Sequence, residues 1–244
     1  MKVYIHKGSD GECANVNAFV ALDGFRQLGW EILFYQDIAQ LKEQLPEEVV
    51  VGGISDITKA LAHFQITLPA PLDYPYSLHP FLGRQLWPST LHTFAKEAGG
   101  QPVFIKPMNR SKAFTGKLIT AERDLIGCYD YQEDMDIWCA EPVKFLSEWR
   151  CFVRYGHILD VRRYRGDWEL HYDAAVIAAT LQSYTSAPKA FALDFGITDK
   201  GETLLVEAND GYSLGAYGLN SLDYAKLLSA RWAELTGSID FCDF

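Results

Sequence analysis

Asp194, Glu207 and Asn209 are the residues of this chain whose types and spacing most readily support chemistry. Asp194 sits inside the apolar run Phe191-Ala192-Leu193-Asp194-Phe195, and Glu207 closes Leu204-Leu205-Val206-Glu207 two residues before Asn209. Side chains two apart on a strand share a face. Glu207 and Asn209 therefore point the same way, and a hairpin turned at Asp199-Lys200-Gly201 brings Asp194 beside them. Two carboxylates and an amide make an all-oxygen set. It suits Mg2+, which keeps some waters and takes further ligands from phosphates. The plainer explanation is a solvated hairpin face; the apolar residues flanking all three weigh against it.

Lys106 ends the apolar strand Val103-Phe104-Ile105-Lys106. An ammonium there needs an anion, and a phosphate is one option, although a strand-terminal lysine is more often a surface charge. The loop from Met108 to Gly116 then offers Asn109, Arg110, Ser111, Lys112 and Thr115 as donors that could close over a polyphosphate. It is not a Walker A loop, since G-x-x-x-x-G-K-[ST] is absent. In the segment Asp136 to Arg150, Glu148 and Arg150 share a strand face with Phe152. A carboxylate such as Glu148 accepts two hydrogen bonds and could hold ribose hydroxyls. Backbone around Glu141 to Val143 could pair with a base edge, with Phe145 or Leu146 on the base's face. Arg150, forked and always charged, suits a phosphate or a substrate carboxylate. Its plain alternative is an exposed pair with Glu148. The loop Asp210 to Gly218 follows directly, and its glycines and tyrosines could frame a substrate or simply lead to the next helix.

The elements that must position these groups fall into two styles. The first third alternates strands and helices: strands at Lys2–His6, Glu31–Tyr35 and Glu48–Val51, a helix from Asp10 to about Leu28, a short one near Asp37–Leu45, and one capped by Ser55 reaching His63. This predicts a small parallel sheet covered by helices. Pro69, Pro71, Pro75, Pro80 and Pro88 then block regular structure and mark a crossing between domains. A helix follows, capped by Ser89. Strands at Val103–Lys106, Asp136–Val143, Glu148–Tyr155, Ile158–Tyr164, Ala190–Ile197 and Thr203–Glu207 come next, with a hairpin at Gly156-His157 and helices at Ala174–Tyr184 and Ser221–Leu235. Antiparallel hairpins with helices on one side predict an α+β domain. The expected division is 1–88 and 89–244.

Composition limits the function. The 244 residues hold 22 Lys+Arg against 32 Asp+Glu, a net charge of −10, with 48% hydrophobic and 22% charged residues. That is ordinary for a folded protein and excludes disordered, collagen-like and disulfide-scaffold chains. The acidity argues against a general nucleic-acid binder. Five cysteines without C-x-x-C spacing read as reduced core thiols. The apolar stretch at the start is too short for a signal peptide and none is long enough for a membrane span, so a cytoplasmic setting without membrane partners is expected. The six histidines are dispersed, with no metal-ligand spacing, and read as structural.

Taken in order, these motifs resemble the ATP-grasp ligases. That family places a lysine on a strand before a flexible loop, then a hinge strand, then a glutamate seven residues after the hinge glutamate, as Glu141 and Glu148 stand here. It ends on a metal Asp and a Glu-x-Asn, matched by Asp194, Glu207 and Asn209. The resemblance covers roughly Val103 to Leu235. Lys112-Ala113-Phe114-Thr115-Gly116 and the short chain look most like a compact branch named for two arginines and one lysine. Arg150 matches one arginine; Arg163 is the candidate for the other, in competition with Arg162 and Arg165. The loop is poorer in glycine and serine than in many family members, and an earlier phosphate lysine has no secure counterpart, though Arg84 could serve. The resemblance implies an ATP-grasp fold with the nucleotide between two subdomains, after a small parallel α/β domain. It further implies ATP and Mg2+, Lys106 and Lys112 on phosphates, Glu141, Val143 and Glu148 on the nucleoside, and joining of a small-molecule or peptide carboxylate to an amine through an acyl phosphate. A phosphotransferase with the same nucleotide site and a non-catalytic nucleotide-binding module remain open as alternatives.

Overall fold

The computed structural model describes residues 1–41, 43–97, 100–108, 113–128 and 133–244. Three sheets organise them. The first is parallel, in the order β2-β1-β3, formed by β1 (Lys2–His6), β2 (Glu31–Tyr35) and β3 (Val49–Val51). α1 (Val16–Gln27) crosses from β1 to β2, and α2 (Ile54–His63) follows β3. The helix starts differ from the sequence expectation. Asn15, not Asp10, caps α1, with its side-chain oxygen accepting from the Asn17 and Ala18 amides at 3.0 and 3.1 Å. Asp10 instead accepts from the Glu12 amide in a turn. Gly53, not Ser55, caps α2, and Asp56 reaches back to the Gly53 amide at 2.9 Å. Near Asp37 the chain makes only a 3-10 turn, Ile38–Gln40.

The proline-rich stretch is more regular than expected. It contains a 3-10 turn at Tyr76–Phe81 and ends in a strand, β4 (Leu86–Thr90). Pro88 is tolerated because β4 is an edge strand, where a missing amide costs no ladder bond. The helix expected from Ser89 begins after this strand as α3 (Leu91–Glu97). With β5 (Val103–Pro107), β6 (Lys117–Ile119) and β7 (Asp136–Ala140), β4 forms an antiparallel sheet in the order β4-β7-β5-β6.

The third sheet carries most of the functional candidates. It comprises β8 (Phe145–Arg154), β9 (His157–Gly166), β10 (Ala190–Thr198) and β11 (Thr203–Asp210) in the order β11-β10-β8-β9, all antiparallel. The β8–β9 turn lies at Tyr155-Gly156, one residue earlier than expected, with φ of 49° and 75°. α4 (Ala174–Ser183) precedes β10, and α5 (Ser221–Thr236) follows β11.

Both faces of this sheet are covered, not one. All nine residues of β10 are buried. Phe191, Leu193 and Phe195 pack with Leu78, Leu82 and Ile177 on one side. On the other, Ala190, Ala192 and Phe152 join the core of the parallel sheet, together with Phe25 of α1 and Leu227 and Leu228 of α5. The last helix thus buries its apolar face against the elements of the parallel sheet. At their crossing a β-carbon on Gly24 would lie 1.9 Å from the Ser221 carbonyl oxygen, so only glycine lets α1 and α5 approach this closely. No helix among the described residues is long and apolar enough to cross a membrane, and all five cysteines are free.

Candidate active site

β10 and β11 pair so that Asp194 lies opposite Glu207 and Ala192 opposite Asn209. Strand alternation puts all three polar side chains on the face turned toward the parallel sheet. Asn209 Nδ2 donates to Asp194 Oδ2 at 3.1 Å and to Glu207 Oε1 at 3.3 Å. Two carboxylates therefore stand within one amide of each other, and their oxygens fit a hard divalent cation. Among the described residues no group of three His, Cys, Asp or Glu side chains is placed to hold a metal ion, so a metal here depends on the asparagine.

Each carboxylate also meets a cation. Asp194, 2% exposed, is gripped by Arg150 from the adjacent strand, through Nε at 2.7 Å and Nη2 at 2.6 Å. Burial pushes the Asp194 carboxyl up, to about 6, with the guanidinium opposing it. Glu207 Oε2 accepts from Lys106 Nζ at 2.5 Å, and Asp73 Oδ1 lies 2.5 Å from the same nitrogen. Burial alone would lower the Lys106 ammonium, but Glu207, Tyr74 and Asp73 hold it above the ordinary lysine range. Glu207 is the reverse case: burial would raise it, and Lys106 and Asn209 bring it below its usual value.

Beyond Arg150 the site is aromatic. Its guanidinium lies 4.7 Å from the Tyr217 ring and 5.8 Å from Tyr164, and the two rings stack at 4.9 Å. Asp194 occupies Nε and Nη2, leaving Nη1 directed toward Gly215 of the following loop. Glu148 accepts from the Tyr164 hydroxyl at 2.7 Å and from Arg165 Nη1 at 2.8 Å. Arg163 is not brought to this cluster: it pairs with Trp149 and donates to the Gly166 carbonyl. A register shift between Glu148 and Trp149 turns Tyr164 and Arg165 inward in its place. Arg162 pairs instead with Asp160 at 2.6 Å.

Lys106, Glu148, Arg150, Tyr164, Glu207 and Asn209 line one cleft of about 1240 Å³ between the second and third sheets, and Asp194 lies buried behind them. Phe104, Lys106, Thr115, Glu141 and Val143 face it from one side, and Glu148, Arg150, Glu207 and Asn209 from the other. The Glu141 carboxylate accepts from the Gln85 amide at 2.8 Å. Phe145 lies across Gly196, where a β-carbon would stand 2.1 Å from its ring, so the missing side chain seats the aromatic on the sheet. Arg84 also faces the cleft, but it donates to the carbonyls of Leu82, Leu205 and Val206 at 2.8 to 2.9 Å. Burial lowers the Arg84 guanidinium below its ordinary value. Lys112, with Asn109, Arg110 and Ser111, lies outside the described residues.

A model of the ATP-grasp domain, R2K clade family 2, matches residues 81–227. The chain belongs to the ATP-grasp family. The matched span takes in the second and third sheets and every described site residue expected from the sequence, while Asp73 lies before it. Solved ATP-grasp folds are similar along nearly the whole chain. D-alanine–D-alanine ligase from Bacillus anthracis complexed with ATP has a TM-score of 0.55 at 15% identity, covering 96% of each chain. D-cycloserine synthetase DcsG has a TM-score of 0.57 at 13% identity, covering 95% of this chain and 100% of its own. N5-carboxyaminoimidazole synthetase from Staphylococcus aureus complexed with ADP has a TM-score of 0.57 at 12% identity, covering 98% of this chain and 78% of its own. At these identities the likeness is one of fold. None of the curated proteins matches the sequence.

Within this ATP-grasp cleft, sequence reasoning missed Asp73, Tyr164 and Tyr217. Asp73 is hidden in a proline-rich stretch that carries no motif. Tyr164 was obscured by the register shift, which period-two counting cannot register. The 210–218 loop offers two tyrosines, and nothing in their spacing marks Tyr217 as the one over Arg150.

Proposed function

We propose that this ATP-grasp chain is an ATP-dependent carboxylate–amine ligase that forms an amide or peptide bond and releases ADP and phosphate. The observation supporting this best is the gathering of Glu207, Asn209, Lys106 and Arg150 on a single cleft, with Asp194 buried directly behind them on Arg150 and Asn209. A carboxylate is a poor electrophile at neutral pH. Its oxygen attacks the γ-phosphorus of ATP, the bond to the β-phosphate oxygen breaks, and ADP leaves. The amine nitrogen then attacks the carbonyl carbon of the acyl phosphate, the carbon–oxygen bond to phosphate breaks, and the nitrogen sheds a proton.

The protein's part is placement and charge neutralisation. Lys106 directs an ammonium N–H at the α- and β-phosphates. The free edge of Arg150 faces the transferring phosphoryl group or the tetrahedral intermediate. Glu148 holds ribose hydroxyls, backbone near Glu141 and Val143 meets the base edge, and Phe145 packs on its face. Lys112 is assigned to the phosphates from the family resemblance. For the second arginine of the branch named for two arginines and a lysine, we favour Arg165 over Arg163, because Arg165 lines the cleft. Asp194, Glu207 and Asn209 would hold Mg2+, which would supply charge neutralisation for the phosphates.

The test is a screen of amino acids and short peptides for ADP release, with mass detection of products. A ligase needs both acid and amine before ADP accumulates, and a condensed product appears. ADP release supported by a hydroxyl compound alone, with a phosphorylated product, would establish the phosphotransferase reading instead.

A further inference from the structure

Asp73 lies outside every motif, yet three independent features converge on it. It is 7% exposed in a chain segment that otherwise only crosses between sheets. Its backbone sits at φ 43°, a left-handed conformation that costs a non-glycine residue energy and persists only where the surroundings enforce it. Its carbonyl accepts the Ala208 amide at 2.8 Å, pinning the segment to β11 between Glu207 and Asn209. From that fixed point its carboxylate reaches Lys106 Nζ at 2.5 Å.

An ammonium has three N–H donors. Glu207 and Asp73 take two of them, which fixes the direction of the third. The Tyr74 ring, 5.4 Å from Nζ, closes another side. Glu207 is shared with the proposed metal set and Asn209, so it is not a dedicated partner for the lysine. Asp73 is. We propose that Asp73 is a positioning residue that aims the Lys106 ammonium at the nucleotide phosphates. This rests on the ligase reading of the cleft, and it adds a role for the inter-sheet segment that no motif carries.

The experiment is a double-mutant cycle read by calorimetry with Mg·ADP, using the full chain, Asp73→Asn, Lys106→Met and the double variant. Asparagine tolerates the left-handed backbone and keeps an acceptor, so the segment's shape is retained while the charge is removed. Asp73→Asn is expected to weaken Mg·ADP about tenfold, the size of one charge-assisted hydrogen bond. In the Lys106→Met background the same change is expected to have no further effect, because the group it acts through is gone. In turnover the loss falls on KM for ATP, with kcat nearly unchanged. Wild-type affinity in Asp73→Asn, or an equal loss in both backgrounds, overturns the positioning role. Failure of the wild-type chain to bind Mg·ADP at all overturns the ligase reading itself.

Discussion

Asp194 is bonded to Arg150 through both carboxylate oxygens and shares one of them with Asn209. Removing its charge therefore has two consequences. Asp194→Asn is expected to reduce ATP-dependent turnover at least about 100-fold, since even supporting contacts to a metal cost up to that much. It also takes from Arg150 the anion that both Nε and Nη2 hold. The Asp194 carboxyl titrates near 3.8 when free and at about 6 in the fold. Between those values the folded chain holds the extra proton. Stability of the ligand-free protein is thus expected to fall as pH rises from about 4 to about 6 and to level off above. Metal-dependent nucleotide affinity should run the other way, weakening as pH drops below about 6, because the cation needs the ionised carboxylate. Affinity that is flat from pH 5 to pH 8 would remove Asp194 from the metal set.

At the level of elements, β10 and β11 were readable because their apolar runs are long and interrupted by only a few polar residues. Period-two alternation then fixed which side chains share a face, and the pairing of Asp194 with Glu207 follows it. Helix starts were less legible. Asp10, Asn15, Ser55 and Ser89 are all capping types, and choosing among them depends on where the preceding strand releases the chain. The site side of β9 was misjudged for a different reason: the shift between Glu148 and Trp149 turns Arg163 away and admits Tyr164 and Arg165. Where a strand meets an aromatic closely, the fit can be tested. Gly196→Ala would drive Phe145 off β10 toward the nucleotide side of the cleft. Overpacking of this kind costs about 1–3 kcal/mol, and ADP affinity is expected to fall about tenfold in calorimetry. Unchanged affinity would place the base elsewhere than against Phe145.

Across the whole molecule, the parallel sheet is tied to the cleft by the loop after β11. Ser213 donates to the Gly52 carbonyl at 3.0 Å, the Ala216 amide donates to Asn17 at 3.0 Å, and Tyr224 of α5 donates to the Leu214 carbonyl. Tyr217, over Arg150, hangs on these anchors. Gly24→Leu would force α1 and α5 apart and is expected to destabilise the fold by at least about 1–3 kcal/mol, with faster proteolysis of the C-terminal helix. With an overall charge of −10, attraction for a nucleotide's phosphates falls to local cations, and among the described residues Lys106, Arg84, Arg150, Arg165 and Lys144 line the cleft.

The central claim is that two carboxylates and an amide clasp a divalent cation against a nucleotide in this cleft. Titration of a non-hydrolysable ATP analogue, with Mg2+ and with excess chelator, examines it most directly. The account predicts saturable binding at one site per chain that weakens at least about tenfold when Mg2+ is withdrawn, and the same weakening in Asp194→Asn with Mg2+ present. Binding of equal strength with and without Mg2+, or no binding by the wild-type chain, would contradict it.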